Sequence, residues 1–317
     1  MKQLLPLIAG LTLLAAGSLA RAGGAECIVP SKPGGAMDLT CKLARKALQG
    51  KPAMRLSYLP GGIGAVAWHT LVSQRSSEAD TLVAFSGGSL LNLAQGKFGK
   101  AGAADVRWVA ALGADYGMIA VRADSKFKTL ADLVDALKRD PHKVLIGVSG
   151  TIGSQDWLKM ALVAQRAGID PRVLRFVALE GGGETFTAMD AGFVQVVSGD
   201  ASEATLYSGS AKARVLAVLS EQRLSGVLAA VPTAREQGID VIWPIIRGVW
   251  MGPNVADADY QRWVGAFARM EATPEFAQLR AASGLYPFSM TGPALSAYVK
   301  HAVDDYQRQA RQFKLVR

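Results

Sequence analysis

Short apolar runs alternate with amphipathic stretches along nearly the whole 317-residue chain. Ile28-Val29, RLSYL at 55–59, TLVAF at 81–85, 107–112, 118–121, VLIGV at 144–148, RFVAL at 175–179, QVV at 195–197 and VLAVL at 215–219 have the length and residue types of strands. Between them the apolar positions fall at helical spacing. This predicts helices over 38–49, over AVAWHTLVSQR at 65–75, over LLNLAQG at 90–96 and over 129–138, where Thr129 is a natural cap. Strands that alternate with helices predict an α/β architecture with mainly parallel sheets. No internal repeat and no low-complexity tract interrupts the pattern.

Six turns share a position after a strand and before a helix: PGGAMD (33–38), PGGIG (60–64), SGGS (86–89), SGTIGS (149–154), GGGE (181–184) and SGD (198–200). In an open α/β sheet that is the carboxyl edge, where ligands bind. Glycines there let backbone N–H groups face inward. Helix N-termini add unsatisfied donors and the positive end of a dipole. Such turns cradle anions without charged side chains. None of them carries a nucleotide signature: G-x-x-x-x-G-K-[ST] is absent, and PGGIGA lacks the full G-x-G-x-x-G spacing.

The ends change the picture. Lys2, the apolar run over 4–20 and Ala20-Arg21-Ala22 have the three-part layout of a secretory signal peptide, predicted to span 1–22 and to be cleaved. The apolar run is short for a membrane anchor, and Cys27 follows Glu26, unlike the cysteine of a lipoprotein. The remaining 295 residues suffice for two medium domains. Lys2 and Arg21 leave with the leader, so the net charge of +9 becomes +7. The basic residues are scattered, which with export argues against nucleic-acid binding and suits attraction of a small anion. An exported chain with two cysteines, Cys27 and Cys41, reads as carrying one disulfide around PSKPGGAMD. A redox pair or a metal site is the competing reading, against which stand the absence of C-x-x-C and of any nearby histidine.

Catalytic patterns are not found. His69, His142 and His301 lie apart from any candidate nucleophile and read as packing or surface residues. No H-x-x-x-H, C-x-x-C or acidic loop suggests a metal, and G-x-S-x-G is absent. Ser86, Ser89, Ser149 and Ser154 sit on glycine turns without a paired base, so hydrogen bonding to a ligand is the simpler role. Glu180 and Glu184 flank GGG. Arg247, between Trp243 and Trp250, is a cation placed to meet a carboxylate, in the cleft or in a surface salt bridge. No enzyme activity and no cofactor are expected.

ECIVPSKPGGAMDLTCKLA, YLPGGIGAVA, TLVAFSGGSLLNLAQGKFG, GTIGSQDW and FVALEGGGE…VQVVSGDASEA together resemble the periplasmic substrate-binding proteins of tripartite tricarboxylate transporters, the Bug family, from about residue 26 to the C-terminus. The cysteine pair and the SGGSLLNLAQGKFG block are most similar to the citrate-type receptors.

The resemblance implies a type II periplasmic-binding-protein fold, with one lobe from 23–122 plus 236–317 and the other from 123–235. It implies a periplasmic, monomeric receptor that hands a small di- or tricarboxylate to a membrane permease. The alternatives are a sensing subunit for a two-component kinase, or a receptor for an amino-acid or aromatic carboxylate.

It places Pro33, Gly34, Gly35, Ala36 and Asp38 in a first ligand loop, with Lys32 at its edge, and Gly61, Gly62 and Gly64 in a second. Ser86, Gly87 and Ser89 add donors from the same lobe. Thr151, Gly153, Ser154 and Gln155 close from the other, with Asp200 at the rear. Asp38 is expected to cap its helix, with or without a ligand contact. Ala36 and Met37 depart from the glycine and small or aromatic residue of many relatives, and Met37 is expected to reshape the pocket.

Overall fold

The computed structural model describes residues 24–48, 53–208 and 212–315. The signal-peptide expectation lies outside them. In chain order, β1 (Ala25–Val29), α1 (Ala36–Ala47), β2 (Met54–Tyr58), α2 (Ala65–Ser73), β3 (Thr81–Ser86) and α3 (Gly87–Ala94) lead into one long strand, β4 (Arg107–Arg122). Then come α4 (Leu130–Arg139), β5 (Leu145–Ser149), α5 (Gln155–Arg166), β6 (Arg175–Leu179), α6 (Gly182–Asp190), β7 (Val196–Asp200), α7 (Ala201–Ser208) and β8 (Ala213–Leu219). β9 (Pro244–Met251), α8 (Asp257–Glu271), α9 (Pro274–Ala282), the two-residue β10 (Met290–Thr291) and α10 (Gly292–Gln312) complete the described chain.

The strands form two sheets that share β4. In the first lobe β2, β1 and β3 are parallel, and β9 runs antiparallel between β3 and the N-terminal half of β4. In the second lobe β6, β5 and β7 are parallel, and the C-terminal half of β4 pairs antiparallel with both β7 and β8. Within β4, Arg107–Tyr116 pair with β9 and Gly117–Arg122 with the second sheet. The segments 107–112 and 118–121, which read as two strands, are therefore one. Gly113 and Gly117 lie between them, and the backbone hydrogen bonds simply change partner. The sheets are mixed, because β4 and β9 carry the chain between lobes and run against their neighbours.

Each sheet is covered on both faces. In the first lobe Val29, Leu82, Val109 and Val249 pack with Trp263, Phe267 and Phe276 of α8 and α9. On the other face Trp68, Phe85, Trp108 and Trp250 pack with Leu295 and Val299 of α10. In the second lobe Ile146, Val148 and Val196 pack under α4 and α5, and Met118, Val197 and Val218 pack under α6 and α7. Phe313 packs edge-on to Trp157, so the end of α10 reaches the second lobe.

Cys27 and Cys41 are disulfide-bonded, with Cα atoms 5.7 Å apart. Both are fully buried, in the core between β1 and α1. The bridge pins helix to strand inside the core of the first lobe.

Candidate functional site

α1 begins at Ala36, two residues earlier than its apolar spacing predicts, with Gly35 as N-cap. Asp38 is therefore inside the first turn. Its Oδ2 accepts from the Gly34 N–H at 2.9 Å and from Lys42 Nζ at 2.7 Å, and its Oδ1 accepts from the Tyr58 hydroxyl at 2.9 Å. The side chain reaches back to shape the PGG turn. α3 starts on the SGGS turn itself: Ser86 Oγ accepts from Gly88 N–H and Ser89 Oγ from Ser86 N–H, a reciprocal cap. Ser154 caps α5 by accepting from Trp157 N–H.

These ends meet across a cleft between the lobes, around a cavity of about 60 Å³. That is room for a few water-sized groups. The N-termini of α1 and α3 reach it from the first lobe, and those of α5, α6 and α7 from the second. Five positive dipole ends converge on one small space.

Of the predicted residues, Gly35, Ala36, Ser86, Ser89, Ser154, Gln155 and Asp200 line the cavity. Gly34, Gly62, Gly64, Gly87 and Gly153 stand next to lining residues in the chain, and Pro33, Gly61 and Thr151 two positions from one, all outside the wall. Met37 lines it, and so does Ile63, in the left-handed region at φ 53°, in place of the glycines around it. Lys32 is exposed and donates to Glu184 Oε1 at 2.8 Å, bridging the two lobes outside the cavity. Gly153 O accepts from Gln95 Nε2 at 2.7 Å, a second bridge between lobes.

The glycine turns also clasp each other. A Cβ on Gly183 would lie 2.8 Å from Pro33 O, and one on Gly35 would lie 3.3 Å from Gly182 N. PGG and GGG thus approach backbone to backbone across the cleft, which side chains would prevent. This close approach is a reason for the glycines separate from anion binding.

The rear wall is charged. Arg247, only 2% exposed, donates from β9 to Asp115 Oδ2 at 2.8 Å and to Asp200 Oδ2. Lys159, fully buried on α5, donates to Asp200 Oδ1 at 2.5 Å and Gly199 O at 2.7 Å, and lies 2.7 Å from Asp156 Oδ1. Asp115 is further held by Ser202 Oγ at 2.6 Å. Gln155 Nε2 donates to both Asp200 oxygens.

Burial opposes ionisation of Asp200, but Lys159 and Arg247 overrule it and hold its pKa below the ordinary value. Asp156 is raised to about 6, because burial and Asp200 outweigh Lys159. Glu203 is raised to about 8 by burial and by the charges of Asp200 and Asp156, against Arg247 and Lys159. Arg247 stays charged: burial lowers its pKa, but Asp200 and Asp115 outweigh burial and raise it above the ordinary value.

Sequence reasoning flagged Arg247 but missed Asp115, Asp156, Lys159 and Glu203. Asp156 and Glu203 each stand in the first turn after a glycine-rich strand end, the same edge that drew attention to the turns. Their burial beside one another is not visible in the chain.

A two-lobed α/β molecule with a small polar cavity between its lobes is built as a solute receptor. Residues 95–315 match the family model described as the tripartite tricarboxylate transporter family receptor, and the chain belongs to that family of periplasmic solute-binding proteins. A UPF0065 protein from the gbd 5' region of Cupriavidus necator is 24% identical over 191 residues, 60% of this chain and 56% of that protein. The chain thus matches little more than half the length of that relative. The periplasmic binding protein BugD has the same fold, with TM-score 0.80 at 16% identity over 92% of this chain and 98% of the other. MatC from Rhodopseudomonas palustris, solved with bound malate, gives TM-score 0.77 at 16% identity over 90% and 98%. Among the described residues no helix is long and apolar enough to cross a membrane.

Proposed function

We propose that this protein captures a small di- or tricarboxylate in the cleft and delivers it, as a monomer, to the permease of a tripartite transporter. The observation that carries this reading is the convergence of five helix N-termini on one cavity. Anions are favoured there by unsatisfied N–H groups and aligned dipoles. The serine hydroxyls of 86, 89, 149 and 154 add neutral donors. MatC, of the same fold, was solved with a dicarboxylate, malate.

A second reading, an amino-acid carboxylate, is favoured by one specific feature. The cavity is lined by Asp156, Glu180, Asp200 and Glu203 against Arg247 alone among cations. A ligand carrying an ammonium group beside its carboxylate would balance that wall.

The test is thermal unfolding of mature protein, refolded free of carried-over ligand, with malate, succinate, citrate, L-aspartate and L-glutamate, each with and without magnesium. A ligand at about a hundred times its Kd stabilises by about 2.7 kcal/mol. A rise with malate, succinate or citrate supports the first reading, and a rise confined to the amino acids supports the second. No rise with any of the five overturns both.

A further inference from the structure

Ala36 is the first residue of α1, and its N–H has no partner within the helix. Gly35 offers no side-chain cap, and Asp38 is occupied with Gly34, Lys42 and Tyr58. The partner comes from the other lobe. Glu203 Oε1, 167 residues away, accepts from Ala36 N–H at 3.1 Å. Its Oε2 accepts from Asp200 N–H at 3.2 Å, which holds the side chain to the start of α7. Glu203 is 4% exposed and lines the cavity. A Cβ on Gly182 would lie 1.9 Å from Oε1, so the carboxylate lies against bare backbone at the start of α6 as well. A carboxyl group of the chain therefore occupies the place where the N-termini of α1 and α6 face each other across the cleft.

We propose that Glu203 is a tethered competitor: its carboxyl group fills the anion position at the first turn of α1, and a ligand carboxylate gains that position by displacing it. Glu203 then sets how many carboxylates the cleft accepts, because one of its anion positions is already taken. The second consequence rests on the carboxylate-receptor reading; the first does not.

The surroundings ease displacement. Burial, Asp200 from β7 and Asp156 from α5 disfavour the charged form of Glu203, against Arg247 from β9 and Lys159 from α5, so near neutral pH a neutral carboxyl group, a weaker acceptor than a ligand carboxylate, holds the place; Glu180 lines the cavity, and Tyr207 lies one turn along α7. Both cations are already committed, Arg247 to Asp115 and Asp200, Lys159 to Asp156 and Asp200. Asp200 and Asp156 are the partners that hold them. Withdrawal of Glu203 therefore leaves no cation of this cluster without a partner.

The experiment compares wild-type protein with E203A, each stripped of carried-over ligand, in sodium acetate and in sodium chloride at equal ionic strength. Acetate is a free carboxylate small enough for the vacated place. The thermal midpoint of E203A is expected to be higher in acetate than in chloride by about 2 °C or more, and that of wild type to be equal in the two. Equal midpoints for E203A overturn the proposal, as does an equal acetate gain in wild type. Should E203A fail to fold, E203S leaves only a short hydroxyl at that position and enters the same comparison with the same expectations.

Succinate and citrate then report on ligand number. For E203A their affinity is expected to be about tenfold or more above wild type. Unchanged affinity overturns the role in setting ligand charge. An acetate gain in E203A with no response of either protein to the whole ligand panel would overturn the receptor reading and leave the tethered competitor standing.

Discussion

The two walls of the cleft are built on opposite principles. The first lobe offers glycine turns, serine hydroxyls, Asn92 and helix N-termini, with Arg247 as its one lining charge. The second offers the N-termini of α5, α6 and α7, and beside them the carboxylates of Asp156, Glu180, Asp200 and Glu203. Uncharged donors hold an anion through geometry fixed before it arrives. The buried acids Asp115, Asp156 and Asp200 are held by Arg247 and Lys159 together with neutral donors. The contrast teaches that convergent helix N-termini do not make a cleft electropositive: here much of the positive field is spent on the chain's own acids.

The comparison breaks hardest at Arg247. Arg247→Met removes the guanidinium shared by Asp115 and Asp200 and leaves two buried carboxylates short of a partner. Loss of about 3–5 kcal/mol is expected, measured by urea unfolding.

Removing the disulfide weakens the uncharged wall at its base. Cys27 and Cys41 close a loop fourteen positions long, and Cys27→Ala with Cys41→Ala should cost roughly 3 kcal/mol in the same assay.

The charged wall should respond to pH with a definite sign. Glu203 rises on folding from 4.5 to about 8 and Asp156 from 3.8 to about 6, so the folded state holds both protons more tightly. Their contribution is fully present below about pH 4 and is lost as pH rises to about 8, a fall of a few kcal/mol. E203Q is expected to flatten the upper part of that fall, between about pH 6 and 8, in unfolding curves taken at each pH. A slope in E203Q equal to that of wild type would remove Glu203 as its source.

Gly183→Ala tests the clasp between the walls. Its Cβ would meet Pro33 O at 2.8 Å, and a cost of about 1–3 kcal/mol is expected, with a wider separation of the lobes in solution scattering. The smallest effect belongs to Lys32→Ala. The Lys32–Glu184 bridge is exposed, so the thermal midpoint should stay within error of wild type and any difference should vanish at high salt.

Much of the fold was legible because its signals are local. Strands such as Thr81–Ser86 and Leu145–Ser149 announce themselves by apolar runs, and the turns after them by glycine. The continuous β4 was not legible, since Gly113 and Gly117 interrupt the apolar pattern where the strand changes sheets. Asp38 was expected to cap α1. The helix starts at Ala36 instead, and its first donor is satisfied by Glu203 from the other lobe, a partner no local pattern can reveal.

The sequence by itself determined the alternation of strand and helix, the glycine turns at the strand ends, the family resemblance and the pairing of the two cysteines. Each of these rests on residues near in the chain or on a small set of types. Only the tertiary structure decided that Asp115, Asp156, Lys159, Asp200, Glu203 and Arg247 form one buried network. The cost of burying a charge depends on what lies within a few ångströms in space, and folding brings those six side chains together from β4, α5, β7, α7 and β9.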